Sequence, residues 1–259
     1  MASYQLFHGD CLEELGKVAD KSVQCVIADL PYSITQNVWD SLIPLGTLWE
    51  QYSRICTGPI VLTASQPFTS ILVCSNIKNF KHDWCWKKPK GTGHLNARVS
   101  PMNDKEDIVV FSFGKCIYNP QMSKGKPYKA KPGKSKSNGS DCYGDYRDVR
   151  TDNSGERFPK RVIEFGIVER NKLHPTQKPV ALMEYLIKTY TNEGDTVLDN
   201  VMGSGTTGVA CANTGRNFIG IEKFPLECQP VDKKKNPNYF YEASARIEKA
   251  YLESTQKLF

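Results

Sequence analysis

A glycine-rich turn between a short apolar run and a helix constrains this chain more than any other feature. Residues 196–199 predict a buried strand and a helical pattern begins at residue 206. Three glycines at the spacing Gly-x-Gly-x-x-Gly mark the connection: Gly203, Gly205 and Gly208. Glycine tolerates positive φ and lets a ligand approach the backbone closely. A strand over 218–222 ends at Glu222, about twenty residues beyond the first glycine. An acid at this position can accept hydrogen bonds from ribose hydroxyls. The sequence therefore predicts a nucleoside-binding β-α-β unit.

The identity of the nucleoside stays open at this point. The glycine spacing matches the dinucleotide fingerprint, so NAD is one alternative, whereas a P-loop is excluded because no Gly-Lys-Ser/Thr follows. A dinucleotide fold normally opens with its glycine motif, but this turn lies in the last quarter of the chain. S-adenosylmethionine carries a ribose and an adenine without a pyrophosphate, and its methyltransferases use a similar turn.

Short apolar strands alternate with amphipathic helices along the rest of the chain, which predicts an α/β protein with a mostly parallel sheet. The predicted strands cover 23–28, 60–63, 108–113, 196–199 and 218–222, and the predicted helices cover 10–18, 45–56, 67–75, 179–190, 206–214 and 238–252. Periodicity disappears after residue 115. A structureless loop of that length is unusual within a compact domain, so we expect an inserted segment over 115–161.

Several classes of protein are disfavoured by the composition. No run approaches the roughly 18 apolar residues of a membrane span, and the first residues lack a basic-then-apolar signal. The nine cysteines are scattered, contain no Cys-x-x-Cys pair and are odd in number, so we expect reduced thiols and no metal site. A soluble cytoplasmic protein without a membrane partner is therefore expected.

Basic residues are concentrated in two stretches of a chain whose net charge is +6. Between Asp107 and Asp141 there is no acidic residue, and residues 81–98 carry five cations and two tryptophans against Asp83 alone. Cations with aromatic rings nearby are typical of surfaces that bind phosphates and unstacked bases, although a lysine run is also typical of a solvated loop. The residues that we predict to contact nucleic acid are Trp86, Lys87, Lys88, Lys90, Lys124, Lys126, Lys129, Lys131, Lys134 and Lys136.

A second motif follows the strand over 23–28, at the carboxyl end where α/β active sites lie. It reads Asp29-Leu30-Pro31-Tyr32, and by itself it is also compatible with a plain β-turn. Together with His174-Pro-Thr-Gln-Lys-Pro179 and the glycine turn, in this order, it resembles the β-class amino-methyltransferases of DNA, most of all phage and prophage orphan enzymes. The resemblance covers about 4–113 and 162–250.

The resemblance implies a single Rossmann-like methyltransferase domain over 1–259, circularly permuted so that the catalytic half precedes the cofactor half, with a target-recognition segment inserted at 115–161. It implies methyl transfer from S-adenosylmethionine to N6 of an adenine flipped out of double-stranded DNA, in the cytoplasm of a bacterium or a phage-infected host. A homodimer is compatible with it, since dimers are common in this class.

The resemblance also assigns roles to individual residues. Asp29 supplies a carboxylate and Leu30 a carbonyl to the target amine, and Tyr32, next to Pro31, offers a face on which the base stacks. The residues that would hold the cofactor are Asp10, Thr176, Lys178, Asp199, Met202, Gly203, Ser204, Gly205, Thr206, Thr207 and Glu222. For Asp10 a plain helix cap stays an alternative, and His174 is expected to be structural.

Two departures from the family pattern and three rival functions stay open. Leu30 replaces the usual proline, which leaves the turn less rigid, and Asn200-Val201 replaces the usual Pro-Phe, which removes an aromatic ring beside the cofactor. The rivals are cytosine N4 methylation, for which the family usually has serine in place of Asp29, a catalytically weak DNA-binding module, and an NAD oxidoreductase. The recognition sequence and a restriction partner are not readable from the sequence.

Overall fold

A computed structural model gives the fold of the chain. It describes residues 2–32, 42–130, 151–168, 173–174, 176–226, 229–233 and 236–256. The chain divides into two compact units, one formed by Met1–Asn119 with Arg161–Phe259 and the other by Pro120–Lys160.

Strands and helices are numbered in chain order. The strands are β1 (Tyr4–His8), β2 (Cys25–Ala28), β3 (Pro59–Ala64), β4 (Phe80–Thr92), β5 (Asn103–Ser112), β6 (Ser123–Lys124), β7 (Tyr128–Ala130), β8 (Thr151–Asn153), β9 (Glu156–Arg157), β10 (Val162–Glu164), β11 (Thr196–Asp199) and β12 (Asn217–Glu222). The α-helices are α1 (Cys11–Leu15), α2 (Leu45–Ile55), α3 (Phe68–Ser75), α4 (Val180–Tyr190), α5 (Thr206–Thr214) and α6 (Tyr239–Gln256).

The larger unit is built on an eight-stranded sheet in the order β1-β12-β11-β2-β3-β5-β4-β10. The first five strands in this order, β1, β12, β11, β2 and β3, pair in parallel. Strand β5 is antiparallel to both β3 and β4, and β10 is parallel to β4. Because β2, β11 and β12 are parallel and adjacent, their last residues, Ala28, Asp199 and Glu222, end at the same edge of the sheet. This topology brings the two sequence motifs together.

Helices cover both faces of this sheet, and alternate residues of β2 show how the two cores are divided. Cys25 and Ile27 belong to the core that includes residues of α4, α5 and α6. Val26 and Ala28 belong to the core that includes residues of α1, α2 and α3. Successive side chains of a strand point to opposite faces, so a strand that is buried on both faces has the continuous apolar run seen here.

The predicted α/β class is confirmed, with a sheet that is mixed. The strand over 196–199 and the helix over 206–214 have the predicted bounds, and the other predicted elements are present with shifts of a few residues at their ends. The sequence did not predict β1, β4 or β10 of this sheet, nor the short strands β6 to β9. Strand β10 has only three residues, and its place is determined by pairing of Ile163 with Trp86 of β4, which no local pattern encodes.

The smaller unit contains two short antiparallel pairs, β6 with β9 and β7 with β8. The guanidinium of Arg157 lies 4.7 Å from the centre of the Tyr128 ring and donates to the carbonyl of Lys126. This unit falls within the segment predicted at 115–161, and its role in target recognition stays a prediction. Residues 131–150 lie outside the described ranges.

Within the described ranges, no helix has the length and apolar character that crossing a membrane requires. The cysteines in these ranges are free thiols. No cluster of histidine, cysteine, aspartate or glutamate side chains there could hold a metal ion.

Candidate active site

The two sequence motifs meet at one cavity of the larger unit. Its volume is about 600 Å³, within the range of small-molecule sites. Asp29 and Tyr32 reach it from the end of β2, Lys178 from the segment before α4, and Gly203 and Glu222 from the glycine turn and the end of β12. Every residue predicted to be catalytic or to bind the cofactor lines this cavity, with the exception of Gly205.

Three donors converge on the carboxylate of Asp29, the first residue after β2. Nζ of Lys178 lies 2.5 Å from Oδ2. The hydroxyl of Tyr32 donates to Oδ1 over 2.7 Å, and the hydroxyl of Thr63 on β3 donates to the same oxygen. An ionised carboxylate offers about four lone-pair positions. Among the contacts of the described residues, one position on Oδ2 is therefore left for a further donor.

Burial and the ammonium of Lys178 act in opposite directions on the pKa of Asp29. Burial raises this pKa because low-polarity surroundings disfavour the charged carboxylate. The charge and hydrogen bond of Lys178, with the bonds from Thr63 and Tyr32, outweigh burial and hold the pKa below its ordinary value. Burial lowers the pKa of Lys178, but Asp29 and Glu106 raise it above its ordinary value. Both partners are therefore charged at neutral pH, and Asp29 presents an acceptor rather than a proton.

Glu106 extends this pair into a buried chain of alternating charges. It lies on β5 opposite Trp86 and is buried. Its Oε1 is 3.5 Å from Nζ of Lys178, and its Oε2 is 3.4 Å from Nζ of Lys88. Two acids and two lysines balance one another, which offsets the cost of removing four charges from water. The sequence did not indicate Glu106, because it lies among other charged residues at the start of β5, just before the apolar run over 108–111.

The segment before α4 brings His174, Thr176 and Lys178 to the cavity. Burial lowers the pKa of His174 to about 4, so the ring is neutral at pH 7. Its Nδ1 accepts the backbone N–H of Thr176 over 3.2 Å and lies 3.0 Å from the hydroxyl of the same residue. His174 also packs against Tyr239, with 4.4 Å between ring centres. His174 also lines the cavity, and the structural role predicted for it stays a prediction.

The glycines of the turn serve two different purposes. Gly203 has a φ of +49°, and a Cβ there would come no closer to its surroundings than 3.7 Å, from His174. A Cβ on Gly205 or Gly208 would lie 2.9 or 2.7 Å from Ile247 of α6. The second and third glycines therefore allow α6 to pack closely against α5, and the first exposes backbone to the cavity.

Glu222 joins the glycine turn to the end of β12. Its Oε2 accepts the backbone N–H of Gly203 and its Oε1 accepts that of Phe224, each over 2.9 Å. Burial raises the pKa of Glu222 above its ordinary value, against the lowering effect of these amides. Each oxygen can still accept a second donor from a ligand in the cavity.

Asp10 and Asp199 both line this cavity, and they have different partners. Oδ1 of Asp10 accepts a backbone N–H of α1 over 3.0 Å, and its Oδ2 lies 3.0 Å from Nζ of Lys223, so Asp10 is a helix cap that also lines the cavity. Asp199 accepts the hydroxyl of Thr207 over 2.6 Å and the N–H of Val201 over 3.2 Å. Burial raises the pKa of Asp199 to about 7. Asp199 therefore ties together the two ends of the glycine turn.

The β4 residues predicted to contact nucleic acid differ in exposure. Trp86 is buried, lines the cavity and donates its indole N–H to the carbonyl of Phe165 over 3.1 Å. Lys88 is half-buried, and Lys90 is exposed; both line the cavity. Lys87 is exposed and lies 2.9 Å from Glu164. The structure therefore places Trp86 in the core, and contact of the three lysines with nucleic acid stays a prediction.

The other predicted lysines belong to the smaller unit. Lys124, Lys126 and Lys129 are exposed, and Nζ of Lys129 lies 3.3 Å from Asp152. Three more predicted residues lie outside the described ranges: Lys131, Lys134 and Lys136.

Comparison with known proteins identifies the family to which this site belongs. A profile described as DNA methylase, of the N6 and N4 type, matches residues 23–231 of the chain. The chain belongs to this family of DNA methylases. The predicted resemblance to DNA amino-methyltransferases is thus confirmed at the level of the family.

Two curated relatives of this methylase are similar to it over most of their length. The DNA adenine methyltransferase YhdJ of Escherichia coli K12 is 28% identical, over 84% of this chain and 77% of its own. The type II methyltransferase M1.MboII of Moraxella bovis is 26% identical, over 82% of this chain and 89% of its own.

Solved structures agree with the fold. M1.HpyAVI in complex with S-adenosylmethionine superimposes with a TM-score of 0.59 at 26% identity, covering 94% of this chain and 99% of that one. The cytosine-N4-specific PvuII DNA methyltransferase superimposes with a TM-score of 0.64 at 16% identity, covering 99% of this chain and 94% of that one. At that identity the second likeness supports the fold alone.

Proposed function

We propose that this methylase transfers a methyl group from S-adenosylmethionine to N6 of an adenine that is flipped out of double-stranded DNA. The observation that carries the proposal is the ionised carboxylate of Asp29, which lies in the cavity and keeps a lone-pair position on Oδ2. An adenine amine is a poor nucleophile because its lone pair is conjugated with the ring. A charged acceptor for its N–H is the group that such an amine needs.

Asp29 would act on the amine as a hydrogen-bond acceptor. As the nitrogen becomes tetrahedral its N–H groups become stronger donors, so the carboxylate stabilises the transition state more than the ground state. Because its pKa lies below the ordinary value, Asp29 stays an acceptor and does not remove a proton before transfer. The backbone carbonyl of Leu30, whose side chain is buried in the core, would be the second acceptor. S-adenosylmethionine, when bound, supplies a methyl group on a positively charged sulfur.

Tyr32 would hold the flipped base. Its ring stacks on that of Phe68, with 5.3 Å between centres and 23° between planes. The opposite face of the ring is then the surface on which a base would stack, next to Pro31. The base must leave the duplex to reach this position. Its extrusion would align the amine with Asp29, and such alignment is a large part of what catalysis requires here.

The residues around the glycine turn fit S-adenosylmethionine. Glu222 keeps an acceptor position on each oxygen for the two ribose hydroxyls, and Gly203 has no side chain to block the ligand. Asp10 would contact the adenine of the cofactor. Thr176 and Lys178 are candidates for its carboxylate: an ammonium has three donors, and Asp29 and Glu106 account for two of those of Lys178.

Adenine is favoured over cytosine as the target by Asp29 itself. The cytosine N4 enzymes of the family usually have serine at this position, and YhdJ, which shares 28% identity with this chain, is an adenine methyltransferase. The fold does not discriminate, because the cytosine-N4-specific PvuII enzyme shares it. Cytosine N4 methylation is therefore the second candidate function.

Other parts of the proposal concern the chain as a whole. We infer the β-class, permuted arrangement from the order of the motifs, and target recognition by the segment at 115–161 from its lysines. The enzyme would act where bacterial or phage DNA is present, in the cytoplasm. A phage origin and a homodimer also remain proposals.

Expression in a bacterium that lacks DNA methylation tests this function. Single-molecule sequencing that detects modified bases should find N6-methyladenine in one sequence motif, and none in cells that express Asp29→Ala. A genome that carries N4-methylcytosine in place of N6-methyladenine would favour the second candidate. An unmodified genome, from a soluble wild-type protein that binds S-adenosylmethionine, would refute the proposal.

A further inference from the structure

Strands β4 and β5 form a hairpin, and the residues at the base of its tip line the cavity. Thr92 pairs with Asn103 at the base of the tip, and both residues line the cavity, as do Lys88 and Lys90 on the β4 side. The tip itself, residues 93–102, therefore lies next to the site that contains Asp29.

The tip has an ordered backbone of its own. It begins at Gly93, whose φ of +86° turns the chain out of β4. The N–H of Asn96 then donates to the carbonyl of Gly93 over 2.9 Å. The N–H groups of Val99 and Ser100 donate to the carbonyl of Asn96 over 2.9 and 3.0 Å. These bonds hold consecutive helical turns without help from a hydrophobic core.

Two apolar side chains on this ordered tip are almost fully exposed to solvent. Leu95 is 87% exposed and Val99 is 85% exposed, the highest values among the large hydrophobic residues of the described ranges. One exposed apolar residue is ordinary on a protein surface. Two of them, one helical turn apart on a tip that adjoins an active site, indicate a surface that becomes covered when a partner binds.

The charge of the hairpin specifies the partner. From Trp84 to Asn103 the sequence contains no acidic residue. Lys87 and Lys88 pair with Glu164 and Glu106, and two further cations, Lys90 and Arg98, lie nearer the tip. Cations that flank an apolar tip complement a phosphate backbone on either side of stacked bases. Proteins that unstack DNA insert apolar side chains such as leucine between base steps.

We infer that Leu95, with Val99 beside it, enters the base stack and occupies the space that the flipped target base leaves. This inference rests on the proposed function, because only an enzyme that extrudes a base creates such a space. The inserted side chain lowers the cost of keeping the target base outside the duplex, so it contributes to transfer without contacting the reacting atoms. Lys90 and Arg98 would contact the phosphates on either side.

The test compares Leu95→Ala with Leu252→Ala, the same substitution on an exposed residue of α6 (60% exposed) far along the chain. Each protein methylates two oligonucleotide duplexes that carry the motif found by sequencing. In one the target base is paired, and in the other it is mismatched and therefore costs less to extrude. Sedimentation velocity and thermal melting are measured for all proteins.

We expect Leu95→Ala to lose about tenfold or more in kcat/KM on the paired duplex, and to regain activity within about twofold of the wild type on the mismatched duplex. Leu252→Ala should match the wild type on both. If kcat/KM of Leu95→Ala fell equally on both duplexes, with or without a change of oligomeric state, the tip would bind something other than the base stack. That result would overturn the inference. An unchanged rate on the paired duplex would overturn it as well. A wild-type enzyme that methylates neither duplex would instead refute the proposed function, and the inference with it.

Discussion

The ammonium of Lys178 lies 2.5 Å from Oδ2 of Asp29, although 149 positions separate the two residues in the sequence. Lys178 also lies 3.5 Å from Oε1 of Glu106, so its charge is divided between the half-buried carboxylate of Asp29 and the buried one of Glu106. The protonation state of the proposed catalytic carboxylate is therefore controlled by Lys178 and, through it, by Glu106. Substitutions at the two positions should move the pH dependence of activity in opposite directions.

Replacement of Lys178 by methionine should move the acidic limb of the kcat profile to higher pH. The active form of Asp29 is ionised, and activity is lost as the pH falls through its pKa. Without Lys178 the main influence that lowers this pKa is gone while burial, which raises it, remains. The profile is measured at saturating cofactor, beside Lys105→Met, which removes an exposed lysine of β5 that pairs with the buried Asp107. A limb that stays in place in Lys178→Met would contradict the assignment.

Glu106→Gln should shift the same limb to lower pH. With Glu106 neutral, the charge of Lys178 acts on Asp29 alone and its pKa falls further. Because Glu106 is a positioning residue, we expect kcat at pH 7 to fall by less than the roughly 10²-fold cost of removing a group that contacts the developing charge. Cofactor affinity should stay within about twofold, since a positioning residue leaves the cofactor contacts intact. Asp104→Asn, on the exposed part of β5, is the matched control, and a shift to higher pH in Glu106→Gln would refute the charge division.

Glu222→Ala should weaken binding of S-adenosylmethionine by about 10- to 100-fold, because hydrogen bonds to a charged group contribute roughly 1.5–3 kcal/mol. Isothermal titration calorimetry measures the affinity, and Glu248→Ala, an exposed acid of α6, serves as the control. Thermal melting confirms that the variant is folded. Unchanged affinity in a folded Glu222→Ala protein would remove the glycine turn from the cofactor site.

Lysines of the smaller unit should determine affinity for DNA rather than the choice of sequence. Replacing Lys124, Lys126 and Lys129 by glutamine should weaken binding to every duplex, and each phosphate contact that is lost should flatten the slope of log Kd against log salt by about 0.9. Fluorescence anisotropy at several salt concentrations gives the slope, with Lys249→Gln on α6 as the control. An equal slope in the triple variant and the control would mean that these lysines are a solvated surface.

The parts of the fold that the sequence predicted are those encoded locally. The strand over 196–199, the glycine turn and the helix over 206–214 lie within twenty residues and each carries its own pattern, so their bounds could be predicted. Asp10 as a helix cap is local in the same sense. By contrast β10 depends on its register with β4, which only the folded sheet supplies.

The charge network of the site could not be predicted for a related reason. Asp29, Glu106 and Lys178 come from three distant parts of the chain, and only the sheet order β2-β3-β5 with the segment before α4 brings them together. The motif pattern identified Asp29 and Lys178 individually, without their contact. Gly205 shows the converse: the pattern places it at the cofactor, whereas its missing side chain makes room for Ile247.

The methylated nucleoside that the purified enzyme makes tests the role of Asp29 and the target base together. Wild type and Asp29→Ala are incubated with S-adenosylmethionine and duplex DNA, the DNA is digested, and N6-methyladenine and N4-methylcytosine are quantified by mass spectrometry. We expect N6-methyladenine from the wild type, and from Asp29→Ala a rate at least about 10²–10³-fold lower, with cofactor binding nearly unchanged. Product that is chiefly N4-methylcytosine would contradict the adenine assignment, and an Asp29→Ala enzyme of wild-type activity would contradict the mechanism.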